Sequence, residues 1–176
     1  MKWYEDVEFR KHVDLTRKNI DSINNDVFNE LVLMDRLDLN ENNLITLSGS
    51  VFSDLFSLQT LNLANNQLKV LPEIVFFDLN DLTFLYLQKN KLETLPEKIF
   101  SELKNLIYLD LRDNHLTSLS KDVFSGLYLN RLFLDNNNLI ERQKTYFRNL
   151  IKKRFWVQDN HIFERTGYTN FIFHIH

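Results

Sequence analysis

The sequence predicts an α/β solenoid: short parallel strands stacked into one sheet and backed by short helical or irregular segments. Three observations carry this. A leucine pattern returns about every 24 residues. Phenylalanines return with the same period, and two prolines fall in a matching slot. A unit of this size cannot bury its apolar side alone, so neighbouring units must stack.

The clearest copy is Leu58-x-x-Leu61-x-Leu63-x-x-Asn66-x-Leu68, repeated as Leu82 to Leu92 around Asn90 and as Leu106 to Leu116 around Asn114. Met34, Leu37, Leu39, Asn42 and Leu44 precede these as another copy. A weaker first copy has Val13, Leu15, Ile20 and Ile23, with Lys18 in the asparagine slot. Leu129, Leu132, Leu134, Asn137 and Leu139 follow, with the spacing shortened by one residue. Phe155, Val157, Asn160 and Ile162 form a degenerate last copy.

Spacing assigns each part a role. Residues two apart share one face of a strand, so the paired leucines point inward and their neighbours outward. The asparagines stand where each strand ends and the backbone turns in. There an amide that donates and accepts at once can satisfy buried peptide groups. Phe28, Phe52, Phe76, Phe100, Phe124 and Phe147 form a spine behind the sheet, each followed three residues on by a leucine. Pro72 and Pro96, after Leu71 and Leu95, turn the chain with their fixed φ. Tyr146, Phe147, Leu150 and Ile151 lie at helical spacing within 141–154, which predicts a helix with a basic edge.

The motif resembles the leucine-rich repeat. The endings Val51-Phe52 to Leu55 and Ile99-Phe100 to Leu103 look like the "typical" class found in Toll-like receptors. That resemblance implies a right-handed superhelix, a horseshoe arc with its sheet on the concave face, and non-catalytic binding of a protein partner there. It implies one domain over 1–176, with an N-terminal cap at 1–9, about six repeats in 10–152 and a last repeat plus cap in 153–176. Trp3, Tyr4, Val7 and Phe9 read as the first lid, and Phe163, Tyr168 and Phe171-Ile172-Phe173 as the second. Secreted relatives close their ends with disulfides, whereas this chain has no cysteine. With no apolar leader after Met1, a natural start there favours the cytoplasm, while the repeat type favours an extracellular setting.

The outward strand positions carry the functional information. N-terminal copies hold small and polar residues such as Asp14, Asp38 and Asn62. C-terminal copies bring Phe84, Tyr86, Tyr108, Phe133 and Trp156 onto adjacent strands, interleaved with Asp110, Arg112, Arg131 and Arg154. Aromatic and arginine side chains are enriched at binding hot spots. These nine residues are the expected partner-binding site. Three readings stay open: a heterologous protein partner, as in an innate-immunity-like recognition module; a homodimeric scaffold; or a cover formed by the C-terminal tail.

Other classes find little support. No P-loop, GxGxxG, GxSxG or HExxH occurs, and without cysteine there is no thiol chemistry, so neither an enzyme nor a cofactor is expected. His174 and His176 form a terminal pair without a third ligand. A formal net charge of −3 gives no basic footprint for nucleic acid. The apolar runs are too short to span a bilayer.

Overall fold

The computed structural model describes residues 12–146 except 144. Both terminal caps, Phe147, Arg154, Trp156, Asn160, His174 and His176 lie outside these residues.

Among the described residues, six strands of three residues form one parallel sheet in chain order. They are β1 (His12–Asp14), β2 (Arg36–Asp38), β3 (Thr60–Asn62), β4 (Phe84–Tyr86), β5 (Tyr108–Asp110) and β6 (Arg131–Phe133). The register follows the sequence period: Leu37, Leu61, Leu85, Leu109 and Leu132 pair across it, each 3% exposed or less. Hydrogen bonding continues past the strands. Leu63 N–H donates to the Tyr86 carbonyl at 2.9 Å, and Asn65 N–H to that of Gln88 at 3.0 Å. The same pair of bonds recurs one and two repeats later, from Leu87 and Lys89 and from Leu111 and Asp113.

The sixth copy is one residue short, yet Tyr108 still faces Arg131 and Leu109 still faces Leu132. The deletion falls between Leu127 and Leu129, in the segment entering β6. Beyond it, Asn130 and Arg131 N–H both donate to the Ile107 carbonyl, at 2.9 and 3.0 Å, as Thr83 and Phe84 do to that of Gln59. An irregular connection absorbs the loss. The sheet, whose register decides which face every side chain takes, does not.

Behind the sheet the chain runs through i→i+3 turns with little regular helix. Pro72 and Pro96 each open one, their carbonyls accepting from Val75 at 3.1 Å and Ile99 at 3.3 Å. Ser48 and Ser120 fill the same slot and accept equivalent bonds from Val51 and Val123. The phenylalanine spine is buried from Phe28 to Phe124. Its rings stack between Phe28 and Phe52 at 6.2 Å, Phe76 and Phe100 at 6.3 Å, and Phe100 and Phe124 at 6.1 Å. Residues 141–143 and 145–146 are helical, and Tyr146 packs on the core.

The asparagine ladder closes the buried turns. Asn90 Nδ2 donates to the carbonyls of Leu63 at 2.9 Å and Leu87 at 3.1 Å, while its Oδ1 accepts from Leu68 N–H at 3.1 Å. Asn66, Asn114 and Asn137 repeat this arrangement, each bridging its own turn to the preceding one. Asn42 reaches back to the first copy, accepting from Lys18 and Ile20 and donating to Leu15. Lys18 therefore does not leave that turn without an amide.

One recurrent feature has no sequence signature. The residue before each ladder position is left-handed: Arg17 (φ 57°), Glu41 (57°), Asn65 (54°), Lys89 (56°), Asp113 (54°) and Asn136 (55°). None is glycine. Left-handed backbone costs an ordinary L-residue about 1–2 kcal/mol. In the five copies after the first it precedes the asparagine whose amide enters the core.

Asn90→Leu is expected to lose about 1–3 kcal/mol by leaving the N–H of Leu68 unpartnered in a dry turn, while the carbonyls of Leu63 and Leu87 keep only their second donors, Asn66 and Asn114. Exposure alone would make Lys89 a neutral control, but its backbone makes the outcome depend on the replacement. Lys89→Gly should hold or gain stability, and Lys89→Val should lose about 1–2 kcal/mol. Urea denaturation of the three variants checks this.

Candidate functional site

The concave positions fall into columns set by the register. One runs His12, Arg36, Thr60, Phe84, Tyr108, Arg131, and the next Asp14, Asp38, Asn62, Tyr86, Asp110, Phe133. Strands about 4.8 Å apart bring aromatic side chains of adjacent copies into contact. Tyr108 is the hub. Its ring centroid lies 5.0 Å from Tyr86, 5.4 Å from Phe133 and 6.1 Å from Phe84, all tilted. Such geometry suits the aromatic quadrupole. The Arg112 guanidinium stands 4.6 Å over the Phe133 ring.

Six of the nine expected residues are thus brought together: Phe84, Tyr86, Tyr108, Asp110, Arg112 and Phe133. Arg131 is exposed beside Tyr108, one strand over. Arg154 and Trp156 lie outside the described residues.

Outward direction and exposure are not the same thing. Phe133 is 7% exposed although its side chain stands on the concave face and outside the leucine core. Tyr108 and Arg112 both contact its ring on that face. Phe84 is the most open of the described rings on this face, and Tyr86 and Tyr108 are half-buried.

The carboxylates are more deeply placed than strand alternation alone predicts. Asp110 is fully buried. It accepts from Arg112 Nε at 2.9 Å and from Arg112 backbone N–H at 3.1 Å, with a longer bond from the Tyr108 hydroxyl at 3.4 Å. Asp38 accepts from Arg36 Nε at 2.7 Å and Nη2 at 3.0 Å, and its Oδ2 meets His12 Nε2 at 2.7 Å. In both copies the arginine lies over the acid, a bidentate geometry that favours the charged pair.

These contacts set the titration behaviour. Burial pushes the Asp38 carboxyl upward, but hydrogen bonds from Arg36 and then His12 outweigh it, and the net shift is down. Arg112 is raised by its hydrogen bond to Asp110, and Arg36 by its bond to Asp38. Desolvation raises both tyrosines. Asp110 and Tyr86 add to the rise at Tyr108, while Arg36 and Arg131 oppose it at Tyr86.

The electrostatic reach of Arg36 to Tyr86 brings in a residue outside the nine. Arg36 sits among the polar N-terminal copies, and its signal was the shared column with Phe84 two strands away. Gln88 is a second such residue. It follows Tyr86 in the next concave column, and its Oε1 is buried without a hydrogen-bond partner. Among the described residues no group of three or more His, Asp or Glu side chains could hold a metal, and no helix is long and apolar enough to cross a membrane.

The chain has known structural company. A leucine rich repeat family model matches residues 11–68, 34–92 and 81–139. No curated protein matches. A chain in the structure of the Drosophila Toll–Spatzle complex is 32% identical with a TM-score of 0.67, over 69% of this chain and 16% of that one. A leucine-rich repeat protein of Leptospira interrogans is 34% identical with a TM-score of 0.69, over 77% of this chain and 33% of that one. The leucine-rich repeat domain of APL1B is 25% identical with a TM-score of 0.69, over 73% and 37%. This chain therefore spans well under half the length of each.

A pH test follows from Asp38. Because folding lowers its pKa, the stability it contributes is complete above the ordinary carboxylate range near ~3.9. That contribution is lost as pH falls through the lower folded value. Urea midpoints of the native protein and Asp38→Asn should differ at pH 6, with the native protein more stable, and converge toward pH 2. The matching period, ladder, sheet register and family profile lead to one conclusion: this chain belongs to the leucine-rich repeat family.

Proposed function

We propose that this chain is a non-catalytic recognition module that binds a protein partner through the C-terminal half of its concave sheet. The observation that carries this is the Tyr108-centred ring cluster. Phe84, Tyr86 and Tyr108 stand on the solvent side of the sheet, where the leucine core gains nothing from them. Phe84 is exposed and the two tyrosines half-exposed, so each offers part of the roughly 150–250 Å² that an aromatic side chain can bury. Together they make an apolar patch of the kind that marks interaction sites on soluble proteins.

Leucine-rich repeats typically serve as interaction domains, and one similar chain comes from a complex, that of Toll and Spatzle. That similarity supports protein recognition as the class of function. The short rigid strands support it physically, since rings fixed by packing lose little freedom on binding.

Truncating a central aromatic at a hot spot commonly costs about 2 kcal/mol or more of binding. Tyr108→Ala and Phe84→Ala are expected to weaken binding of a partner isolated from the native source by about 30-fold, with melting temperature little changed in Phe84→Ala and lowered in Tyr108→Ala, whose ring packs on three others. Phe133→Ala is a different test: being buried, it should lower both binding and stability. Asp38 is unsuitable as a control because its removal frees Arg36 and His12. Exposed Asp14 on β1, whose bond from Thr16 N–H is local, serves instead, and Asp14→Ala should leave binding unchanged. Unchanged affinity in both Tyr108→Ala and Phe84→Ala would refute the site.

A further inference from the structure

The concave face is nearly balanced in formal charge, but its two signs lie at different depths. The Arg36 side chain is 48% exposed and the Asp38 side chain beneath it 6%. The Arg112 side chain is 39% exposed and that of Asp110 0%. Each bidentate bond draws the carboxylate down against the sheet and leaves the outer guanidinium edge to solvent. Asp135, the acid of the third concave column, is likewise buried at 8%. Arg131 adds an exposed cation with no carboxylate partner among the described residues. Around the rings, therefore, the cations are accessible and the anions are not. The exposed acid Asp14 stands on β1, three strands from Tyr86.

The arrangement is linear as well. Arg36, Thr60, Phe84, Tyr108 and Arg131 share one column across successive strands. Four strand spacings of about 4.8 Å put the two terminal arginines about 19 Å apart along the sheet, with the rings between them. An extended segment of about six residues, rising ~3.3 Å per residue, covers that distance.

Resting on the recognition reading above, we infer that the partner presents an acidic, apolar segment: an extended stretch with apolar side chains over Phe84 and Tyr108 and carboxylates toward Arg36 and Arg131. Complementary charge at such a rim acts chiefly on specificity and encounter rate. A basic segment meets three uncovered guanidinium edges and no accessible acid beside the rings. Arg112 serves both sides of the arrangement, since it covers Asp110 and lies over Phe133. The aromatic cluster supplies contact area, and the arginines select the sign of the partner.

The test uses three fluorescent 12-residue peptides with the same central Trp-Leu pair, flanked on both sides by glutamate, by serine or by lysine. Each is titrated into the full chain and into Tyr108→Ala and Arg131→Glu, with melting temperatures confirming that the variants fold. The glutamate peptide should bind at least about tenfold more tightly than the other two. Its advantage should shrink with added salt and disappear in Arg131→Glu, while Tyr108→Ala weakens all binding. Equal or tighter binding of the serine or lysine peptide that still depends on Tyr108 would overturn the acidic preference and leave the recognition surface standing. Binding indifferent to Tyr108 would overturn both. Failure of all three peptides, or Tyr108-dependent self-association in sedimentation instead, would also overturn the inference, the latter making a second copy of the chain the occupant.

Discussion

The bond from each ladder asparagine to two successive turns is the interaction on which the rest of the structure depends. Every repeat drives its backbone inward after a three-residue strand, and an inward turn carries peptide groups away from water. One amide answers three of them: two carbonyls, its own turn's and its predecessor's, and one N–H from the predecessor. Because each bridge joins two repeats, it fixes their separation as well as satisfying them. The parallel register that aligns Leu61, Leu85 and Leu109 also aligns Thr60, Phe84 and Tyr108 on the opposite face. The concave columns are thus a consequence of the buried ladder.

Strain is part of the same device. Six residues adopt left-handed backbone one position before the ladder, in a column holding Arg, Glu, Asn, Lys, Asp and Asn. Asparagine and aspartate tolerate that conformation well, and the charged long side chains do not. The recovered hydrogen bonds offset the cost. Neighbours in the column also interact, as Arg17 does with Glu41, and Asn136 with Asp113 at 2.7 Å. The concave face follows a related logic: once a ring or carboxylate stands on the sheet, its neighbours in the register decide whether water reaches it.

Much of this was legible in the leucines and asparagines themselves. A period of 24 with two-residue alternation leaves few ways to bury the apolar side, so strands, sheet order, ladder and phenylalanine spine followed from phase. Even the shortened sixth copy kept its predicted strand. Depth on the concave face was not legible. Alternation places Asp110 and Phe133 outward, but Arg112 lies over the Asp110 carboxylate, and both Arg112 and Tyr108 contact the Phe133 ring. Long side chains have several rotamers, and no spacing rule selects among them. The left-handed positions were hidden for another reason: lysine and glutamate carry no turn signature, and the ladder that forces the conformation is a tertiary contact.

Hydrogen exchange at the ladder is the most direct test of the central claim. The amide protons of Leu44, Leu68, Leu92 and Leu116 each donate to a ladder Oδ1 in the neighbouring repeat. They lie in turns outside the strands, where unsupported amides exchange rapidly. If the ladder holds the stack together, these four protons exchange only with global unfolding, as slowly as the amides of Leu61 and Leu85 at the strand centres. Exchange at the rate of open loops, with the strand amides still protected, would contradict the account.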